Sequence, residues 1–391
     1  MTNNSPLLTN KTRFLLPEGA YSVLNKATQL EQQGKKIIHL EIGQPDFSTP
    51  KNISQAGVHA INAGFTKYTP PLGILSLRQE IAKYLNRSRN VEINPEQIAV
   101  TPSAKNAIFT AMSLVINHGD EVIYPDPGFP TYSSLINFLG GSGIPIPLLE
   151  ENNFSFDMKL FRKKLSSKTK LIILNSPSNP TGGIIPVEIL SEIADLIKNI
   201  GCWILTDEIY SRFLYGLEKY HSFYSNKDVQ NRTFLIDGFS KTYSMTGWRI
   251  GYLAVPVANI DKVDSFLTHS IGCTASFTQQ AALTALTGTD TEFKAMLKEF
   301  TVRRELIVNL LNSIPGISCS MPQGAFYVFP NIKKLGKSSK WWANYILKEA
   351  GVALLDGTSF GEYGEGYLRI SYATSKDNLI EGIRRIKEVI H

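Results

Sequence analysis

The segment SKTYSMTGWRIGY, residues 240–252, contains one lysine and one arginine, Lys241 and Arg249, among neutral side chains. A lysine amine that is withdrawn from water or placed near other cations has a lowered pKa, so it acts as a nucleophile or base near neutral pH. An arginine is a fixed cation whose parallel N–H donors match anions such as phosphate. The two side chains therefore predict a site for an anionic molecule that reacts with an amine.

Five short apolar runs elsewhere in the chain lead into further polar or aromatic groups, as strands of an α/β sheet would. In order, QIAVT, DEVIYPDP, LIIL, WILT and TFLID are followed by Ser103, Ala104, Lys105 and Asn106; Phe129 and Tyr132; Asn175 and Asn179; Asp207 and Tyr210; and Ser240 and Lys241. Ligands of open α/β sheets bind beyond the carboxyl ends of the strands, and a helix that starts near Ser103 favours a phosphate there. The pattern predicts one pocket for a phosphate, an aromatic ring and a reactive amine.

Each of these residues also has an ordinary structural explanation. Asp207 is explained as a helix cap, Asn179 as a turn residue before proline, Phe129 as part of the core and Lys241 as a surface lysine. Compatible groups at five strand ends of one sheet favour the pocket over these separate explanations.

The intervening segments supply the elements that must position these groups. VEILSEIADLIKNIG has apolar residues at helical spacing and predicts a helix that stops at Gly201. Apolar strands that alternate with such helices are typical of an α/β fold with a parallel sheet buried on both faces. A helix from about Phe293 to Leu311, the short strands in QGAFYVFPN, VALLDGT and GYLRISYA, and a closing helix predict a second, smaller α+β domain. No Pro-, Gly- or Ser-rich linker separates the two parts, which indicates close packing.

Composition narrows the class of protein. The chain has 391 residues, of which 43% are hydrophobic and 19% charged, as in a globular protein large enough for two domains. The net charge of +6 is spread along the chain, and its longest basic cluster, 162–164, is interpreted as a solvated face. No nucleic-acid partner is therefore predicted.

Cysteine and histidine usage argues against other kinds of site. Cys202, Cys273 and Cys319 form no CxxC pair, and the six histidines have no metal-ligand spacing; His39 and His269 are interpreted as packing or polar-contact residues. The N-terminal segment lacks the apolar core of a signal peptide, and no run approaches the roughly 18 apolar residues that span a bilayer. We predict a cytoplasmic protein with neither a metal nor a membrane partner.

Two common nucleotide-binding motifs fail at a required residue. LGGSGIPIP has Ile146 where a dinucleotide fold needs its third glycine, and NIKKLGKS has Asn331 where a P-loop needs its first. No additional DNA-binding domain is expected before Leu15, and the retained Lys241 favours chemistry over a binding-only regulator.

An ordered set of motifs gives the chain a specific resemblance to a known family. They are LEIGQPDF, YTPPLGILSLRQEIAKY, NSPSNPTGG, TDEIY, SKTYSMTGWRIGY, PQGAFYVFP and GYLRISYA, and they span the chain from about residue 13 to its end. The chain resembles the class I/II aminotransferases of fold type I, which depend on pyridoxal 5′-phosphate (PLP) and include the aspartate aminotransferases. The resemblance implies a large domain (46–290) with a mostly parallel seven-stranded sheet sandwiched by helices, and a small domain formed by 1–45 and 291–391. It also implies a homodimer.

The resemblance further implies a role for each matched residue. Lys241 would be the Schiff-base lysine and the base, Asp207 would keep the pyridine nitrogen protonated, and Tyr210 would donate to the ring oxygen. The residues implied to bind the cofactor are Ser103, Ala104, Lys105, Phe129, Asn179, Asp207, Tyr210, Ser240, Lys241 and Arg249, with Tyr68 reaching the phosphate of the neighbouring subunit. The residues implied to bind the substrate are Gly43, through its backbone, Asn179 and Arg369, which would hold the α-carboxylate as a bidentate fork.

The implied reaction moves an amino group between an α-amino acid and a 2-oxo acid, alternating between PLP and its pyridoxamine form. Another PLP reaction on the same fold, such as β- or γ-elimination, decarboxylation or oxidation, is the alternative. Gly238 stands where some relatives have a serine that binds the phosphate. The stretch LTHSIGCTASFTQQ, with Ser270, lacks the arginine by which one subgroup binds a distal carboxylate, so a dicarboxylate substrate is not supported.

Overall fold

The computed structural model describes residues 8–15 and 17–390. Residues 1–7, Leu16 and His391, which include the start of the segment predicted to lack a signal peptide, lie outside the described residues. The central element is a sheet with the strand order β2-β9-β8-β7-β6-β3-β4-β5. Its strands are β2 (Ile98–Thr101), β3 (Glu121–Asp126), β4 (Ser142–Leu149), β5 (Ser155–Phe156), β6 (Thr169–Asn175), β7 (Trp203–Asp207), β8 (Thr233–Gly238) and β9 (Gly251–Ala254).

The predicted α/β class and mostly parallel sheet are confirmed, with one short strand more than the seven expected. β3, β4, β6, β7 and β8 form parallel pairs, β9 is antiparallel to both of its neighbours, and the two-residue β5 adds antiparallel to β4. All residues of β8 are buried. Such a strand reads as a continuous apolar run because both faces of the sheet are covered.

The helices surround this sheet and the smaller part of the molecule. They are α1 (Gly19–Gln32), α2 (Lys51–Asn62), α3 (Leu75–Arg89), α4 (Ala104–Val115), α5 (Thr131–Leu139), α6 (Met158–Lys164), α7 (Val187–Ile197), α8 (Ile260–Ser270), α9 (Ser276–Thr287), α10 (Thr291–Asn312), α11 (Ser339–Tyr345) and α12 (Lys376–Val389). In the part of the chain that is described, none of them is long and apolar enough to cross a bilayer.

One predicted boundary differs from the structure. α7 ends at Ile197 rather than continuing to Gly201. The Arg232 guanidinium donates to the carbonyls of Ile197 (2.9 Å) and Lys198 (3.1 Å), so a side chain distant in sequence satisfies the last turn. The helix therefore ends without the glycine cap that the local pattern suggested.

The C-terminal part has the predicted long helix, short strands and closing helix. β10 (Tyr327–Val328), β12 (Leu355–Asp356) and β13 (Leu368–Ser371) form a three-stranded antiparallel sheet, and β1 (Ile38–His39) pairs in parallel with β11 (Val352–Ala353). The segment VALLDGT thus forms two short strands instead of one. Phe300 of α10 stacks on Phe326, next to β10, with 5.4 Å between ring centroids, so this helix packs against the smaller sheet.

Candidate active site

The carboxyl ends of the parallel strands open into a cavity of about 830 Å³. β6 ends at Asn175, β7 ends at Asp207, and the chain that leaves β8 carries Lys241. Every residue that the resemblance implied for the site, except Tyr68, lines this cavity, whereas Asn106 from the strand-end groups does not. The lining includes Gly43, Ser103, Ala104, Lys105, Phe129, Asn179, Asp207, Tyr210, Ser240, Lys241, Arg249 and Arg369.

Lys241 points its amine toward the N-terminal segment. Its Nζ donates to the carbonyl of Gly43 at 2.7 Å and lies 5.8 Å from the centroid of the Tyr210 ring. Burial, followed by the positive charges of Arg369 and Arg249, lowers the pKa of Lys241 to about 8. About a tenth of this amine is therefore neutral and nucleophilic at pH 7, and the neutral fraction rises with pH.

Asp207 is held by a tyrosine from another strand end. The Tyr132 hydroxyl donates to Asp207 Oδ2 at 2.7 Å, and the N–H of Ile209 donates to Oδ1 at 3.3 Å. Burial raises the pKa of Asp207 to about 6, although the Tyr132 hydrogen bond opposes the shift. A buried carboxylate in this state strongly favours a cationic N–H partner.

Tyr210 is joined to the smaller part of the molecule through Tyr327. Their hydroxyl oxygens are 2.6 Å apart and hydrogen-bonded. A Cβ atom at Gly43 would overlap the Tyr327 hydroxyl, so only glycine allows this close approach. Gly43 thus lies between the Lys241 amine, which donates to its carbonyl, and the Tyr327 hydroxyl.

The first turn of α4 lines the end of the cavity where the sequence predicted a phosphate. Ser103 is the N-cap, with φ near 100°, and its side chain accepts from the N–H of Asn106. The N–H of Ser103 donates to the Thr101 carbonyl at 2.7 Å, which leaves the N–H groups of Ala104 and Lys105 without an acceptor among the described residues. Two of the three backbone donors expected for a phosphate are therefore free.

The opposite side of this end is supplied by the chain between β8 and β9. Ser240 and Arg249 both line the cavity, and Arg249 Nη1 donates to the Thr246 carbonyl at 2.7 Å. A Cβ atom at Gly238 would lie 2.9 Å from the Cα of Gly251. The close approach of β8 and β9 thus explains why this position carries no serine side chain.

The guanidinium of Arg369 lies between aromatic rings, 4.7 Å from the centroid of Tyr327 and 5.3 Å from that of Phe360. It donates to the carbonyl of Glu41, whereas its Nε is buried without a partner among the described residues. Asn179 Oδ1 is likewise buried and without a partner in that part of the chain. Buried polar atoms that lack partners in a cavity mark the groups that a ligand would satisfy.

An aromatic ring and an ion pair complete the wall that faces α1. Phe129 packs edge-on against Tyr132 with 5.7 Å between ring centroids. The Lys105 ammonium lies 5.1 Å from the Phe129 centroid and forms an ion pair with Glu18 at 2.7 Å. The sequence implied that Lys105 binds the cofactor, but it did not predict this ion pair with Glu18.

Behind the cavity, a second group of charged side chains is buried between α3 and the ends of β7 and β8. Arg89 Nε donates to Glu208 at 2.7 Å, and its Nη2 donates to Asp237 at 2.7 Å and to Ser211 at 2.5 Å. The Glu208 carboxylate also accepts from Ser222 at 2.5 Å. This cluster, Arg89–Glu208–Asp237, neighbours Asp207 in the chain but does not line the cavity.

Two contributors to the cavity, Tyr327 and Glu18, were not identified as site residues from the sequence, whereas Tyr132 was named there together with Phe129. Tyr327 lies in the apolar segment QGAFYVFPN and carries no local signal, since its partner Tyr210 is 117 residues away. Glu18 precedes the first helix, in a segment where a helix cap is the simpler explanation.

Comparison with known proteins agrees with this geometry. Residues 35–386 match the family described as aminotransferase class I and II. The chain is 39% identical over 370 residues to an aspartate aminotransferase of Pyrococcus horikoshii, with 94% of this chain and 93% of the relative covered. It is 37% identical to aromatic-amino-acid aminotransferase 2 of Thermococcus litoralis, with 94% and 95% covered.

A solved structure supports the same relationship. The aspartate aminotransferase from Thermus thermophilus with maleate is 32% identical and superposes with a TM-score of 0.94, covering 98% of this chain and 100% of that chain. The resemblance inferred from the motifs, the fold type and the dependence on PLP are thereby confirmed.

Proposed function

This chain belongs to the class I and II aminotransferase family, and we propose that it transfers amino groups in the cavity between Lys241 and Arg369. Its substrates are an α-amino acid and a 2-oxo acid. One observation carries the assignment of this site. Lys241, whose pKa is lowered, and Arg369, whose Nε has no partner among the described residues, line the same cavity.

The residues present fit PLP. Free N–H groups at the start of α4 and the Arg249 cation suit a phosphate, the Asp207 carboxylate suits a pyridinium N–H, and the face of Phe129 suits a ring. PLP supplies an aldehyde that bonds to amines and a ring that accepts the electron pair released when a bond to the substrate α-carbon breaks.

We assign Lys241 as the amine that attaches the cofactor and as the base for the substrate α-proton. Its neutral form has a lone pair for both tasks, and burial keeps that form available near neutral pH. The Gly43 carbonyl, which accepts from Nζ at 2.7 Å, orients the amine before reaction.

Asp207 and Tyr210 would hold the two polar edges of the ring. A negative Asp207 would keep the ring nitrogen protonated, and Tyr132 donates a hydrogen bond to this carboxylate. Tyr210, with Asn179, would donate to the ring oxygen, and the hydrogen bond with Tyr327 holds the Tyr210 hydroxyl.

Arg369 is assigned to the substrate α-carboxylate. Burial lowers the pKa of Arg369, which reflects the cost of a charge withdrawn from water, and a carboxylate offsets that cost. Asn179 and the backbone of Gly43 complete this end of the site.

We also propose a homodimer in which Tyr68 completes the phosphate site of the neighbouring subunit. Its side chain is 95% exposed in the single chain, while nearby hydrogen bonds from Ser276 to the Phe65 carbonyl and from Gln279 to Thr69 hold its segment. The domain division at residues 46–290, and a cytoplasmic location suggested by the cysteine usage, belong to the same proposal.

Single-turnover kinetics test the proposed site. Purified enzyme loaded with PLP is mixed with a panel of amino acids, and absorbance follows conversion to the pyridoxamine form. Wild type should convert with at least one amino acid. Lys241→Ala should be slower by more than about 10⁴-fold, because both the attachment and the proton transfer are lost.

Lys262→Ala, which removes an exposed lysine of α8, is the control and should convert like wild type. Release of ammonia or carbon dioxide without the pyridoxamine form would favour the alternative PLP reactions. Conversion by Lys241→Ala at the wild-type rate would contradict the assignment of Lys241 as the reactive amine.

A further inference from the structure

One buried carboxyl group near the cavity has no role in the proposed function. Asp126 is the last residue of β3 and is only 2% exposed. It does not line the cavity, whereas Phe129, which follows it closely in the chain, does. A carboxylate buried this completely needs partners that offset the loss of water, and those partners show what it holds.

The Asp126 carboxylate accepts two backbone hydrogen bonds from the smaller part of the molecule. The N–H of Glu362 donates to Oδ2 and the N–H of Tyr363 donates to Oδ1, each at 3.1 Å. Both donors lie in the segment 357–363, between β12 and β13. A side chain of the central sheet thus fixes this segment through two charge-assisted hydrogen bonds.

The fit between the end of β3 and this segment is close. Gly361 has a φ of 133°, and a Cβ atom there would lie 2.0 Å from Asp126 Oδ1, so only glycine leaves room for the carboxylate. On the other side of Gly361, the carbonyl of Phe360 accepts from the N–H of Gly128 at 2.8 Å. The end of β3 therefore holds the segment 357–363 on both sides of Gly361.

The held segment carries an aromatic ring of the site. Phe360 lines the cavity, and its ring centroid lies 5.3 Å from the Arg369 guanidinium. Arg369 forms no ion pair with a carboxylate in the described chain, so the rings of Phe360 and Tyr327 and the carbonyl of Glu41 set its direction. If the segment moved, the guanidinium would lose one of these contacts.

A carboxylate is a costly choice for holding this segment. Burial raises the pKa of Asp126 to about 6, against the effect of the two N–H donors, and the charge of Glu362 raises it further. A neutral asparagine in the same place would avoid a buried charge, but its single oxygen would leave one of the two N–H groups unpaired. The carboxylate differs because it accepts from both N–H groups at once, which fixes the position of the segment.

We propose that Asp126 is a positioning residue for the substrate α-carboxylate: it holds the segment 357–363 so that Phe360 keeps Arg369 directed into the cavity. This rests on the proposed function, because it concerns the same site. Asp126 does not line the cavity, so it acts through Phe360 and Arg369 rather than by contact with the substrate.

Steady-state kinetics of Asp126→Asn test this role, with the amino acid that converts wild type fastest. Asparagine keeps the shape of the side chain, but its amide nitrogen faces one of the two N–H groups and cannot accept from it. The KM should rise roughly tenfold, because a hydrogen bond to a charged acceptor is lost and a buried N–H is left unpaired. The kcat and the dissociation constant for PLP should stay within about twofold of wild type, since the segment 357–363 contains no residue proposed to bind the cofactor.

Asp157→Asn is the matched control. Asp157 is another carboxylate that accepts from a backbone N–H, that of Leu160 at the start of α6, and it lies outside the cavity. Its substitution should leave the KM unchanged, and denaturant unfolding checks that both variants are folded in the assay. Equal increases of the KM in the two variants would overturn the proposal, because loss of any such hydrogen bond would then have this effect.

A double variant shows whether Asp126 acts through the ring. Phe360→Leu removes the ring beside Arg369 and should itself raise the KM. In that background, Asp126→Asn should raise the KM by less than about twofold further, because the two substitutions remove the same contact. An undiminished further increase would contradict the proposal, and so would a parallel loss of kcat and PLP affinity in Asp126→Asn alone.

Calorimetry separates this result from a failure of the proposed function. PLP-loaded wild type and Asp126→Asn are titrated with 3-phenylpropionate and with its uncharged amide, which lacks the carboxylate. If no amino acid reacts but Asp126→Asn still weakens binding of the acid alone, the proposed function fails and the positioning role stands. If both proteins react and the preference for the acid does not change, the positioning role fails alone.

Discussion

Two groups of buried charged residues lie at the ends of β7 and β8, and they differ in how completely their polar atoms are paired. In the Arg89–Glu208–Asp237 cluster, one guanidinium donates to both carboxylates and to Ser211, and the three charged side chains are at most 4% exposed. In the cavity, Arg369 Nε and Asn179 Oδ1 are buried without partners among the described residues.

The alternation of side chains at the end of β7 produces this division. Asp207 points into the cavity, whereas the next residue, Glu208, points to the opposite side and reaches Arg89. The Arg89–Glu208–Asp237 cluster, here called the rear cluster, completes its own hydrogen bonds and so fixes the two strand ends relative to each other. The polar side chains that line the cavity, such as Asp207, Lys241 and Arg369, are here called the front group, and their hydrogen bonds stay incomplete because their partners are ligands. Substitutions in the rear cluster should therefore change stability first, and substitutions in the front group should change binding first.

The largest effect is expected from removing the guanidinium of the rear cluster. Arg89→Met leaves two buried carboxylates without their cation, and such a loss costs about 3–5 kcal/mol in the free energy of unfolding. Denaturant unfolding of the enzyme measures it. Burial raises the pKa of Asp237 to about 7, against the effect of Arg89, so the loss should be larger at pH 8 than at pH 6, where more of this carboxyl is protonated.

Arg384, an exposed arginine that also pairs with two carboxylates, provides the control for the unfolding measurement on Arg89→Met. Arg384 of α12 pairs with both Glu381 and Glu388 at the surface. Arg384→Met should leave the unfolding midpoint unchanged within error. Equal losses in the two variants would contradict the distinction between a buried cluster and a surface network.

A front substitution should give the reverse pattern. Arg369→Gln removes a buried cation that forms no ion pair with a carboxylate in the described chain, so the free energy of unfolding should change by less than about 1 kcal/mol. The KM for the amino acid should rise about 100-fold or more, since a charge-assisted bidentate contact is lost. Urea unfolding and steady-state kinetics on the same preparation give both values.

The pH dependence of Lys241 provides a second measurement on that variant. Arg369 lowers the pKa of Lys241, which is about 8 in wild type. The amine reacts in its neutral form, so the rate at which apoenzyme captures PLP should rise with pH and reach half its maximum near pH 8. In Arg369→Gln the midpoint should lie at a higher pH, and an unchanged midpoint would contradict the assigned contribution of this cation.

The sequence predicted the front group better than the rear one. Asp207 and Lys241 follow apolar strands, so the end of each strand marks a position at the ligand edge of the sheet. The Arg89–Asp237 contact joins residues 148 apart, and no periodicity relates the end of α3 to the end of β8. The antiparallel β9 was not expected either, because its apolar residues lie inside a motif that was interpreted through Lys241 and Arg249 alone.

The smallest effect concerns Tyr327, which connects the front group to the smaller part of the molecule. Tyr327→Phe removes one hydrogen bond to Tyr210 and should weaken PLP binding about 2- to 10-fold, the range for a neutral hydrogen bond. Gly43→Ala should cost more, because its Cβ would overlap the Tyr327 hydroxyl. In the Tyr327→Phe background that obstacle is gone, and the next ring atoms lie 3.0 and 3.1 Å from the same Cβ position.

The two substitutions should therefore be less than additive in the dissociation constant for PLP, measured by fluorescence titration of each apoenzyme. Strict additivity would mean that the cost of Gly43→Ala does not come from overlap of its Cβ with the Tyr327 hydroxyl. The sign of this coupling decides whether the front group is held together through the two tyrosines or whether each of its members is positioned independently by its own strand.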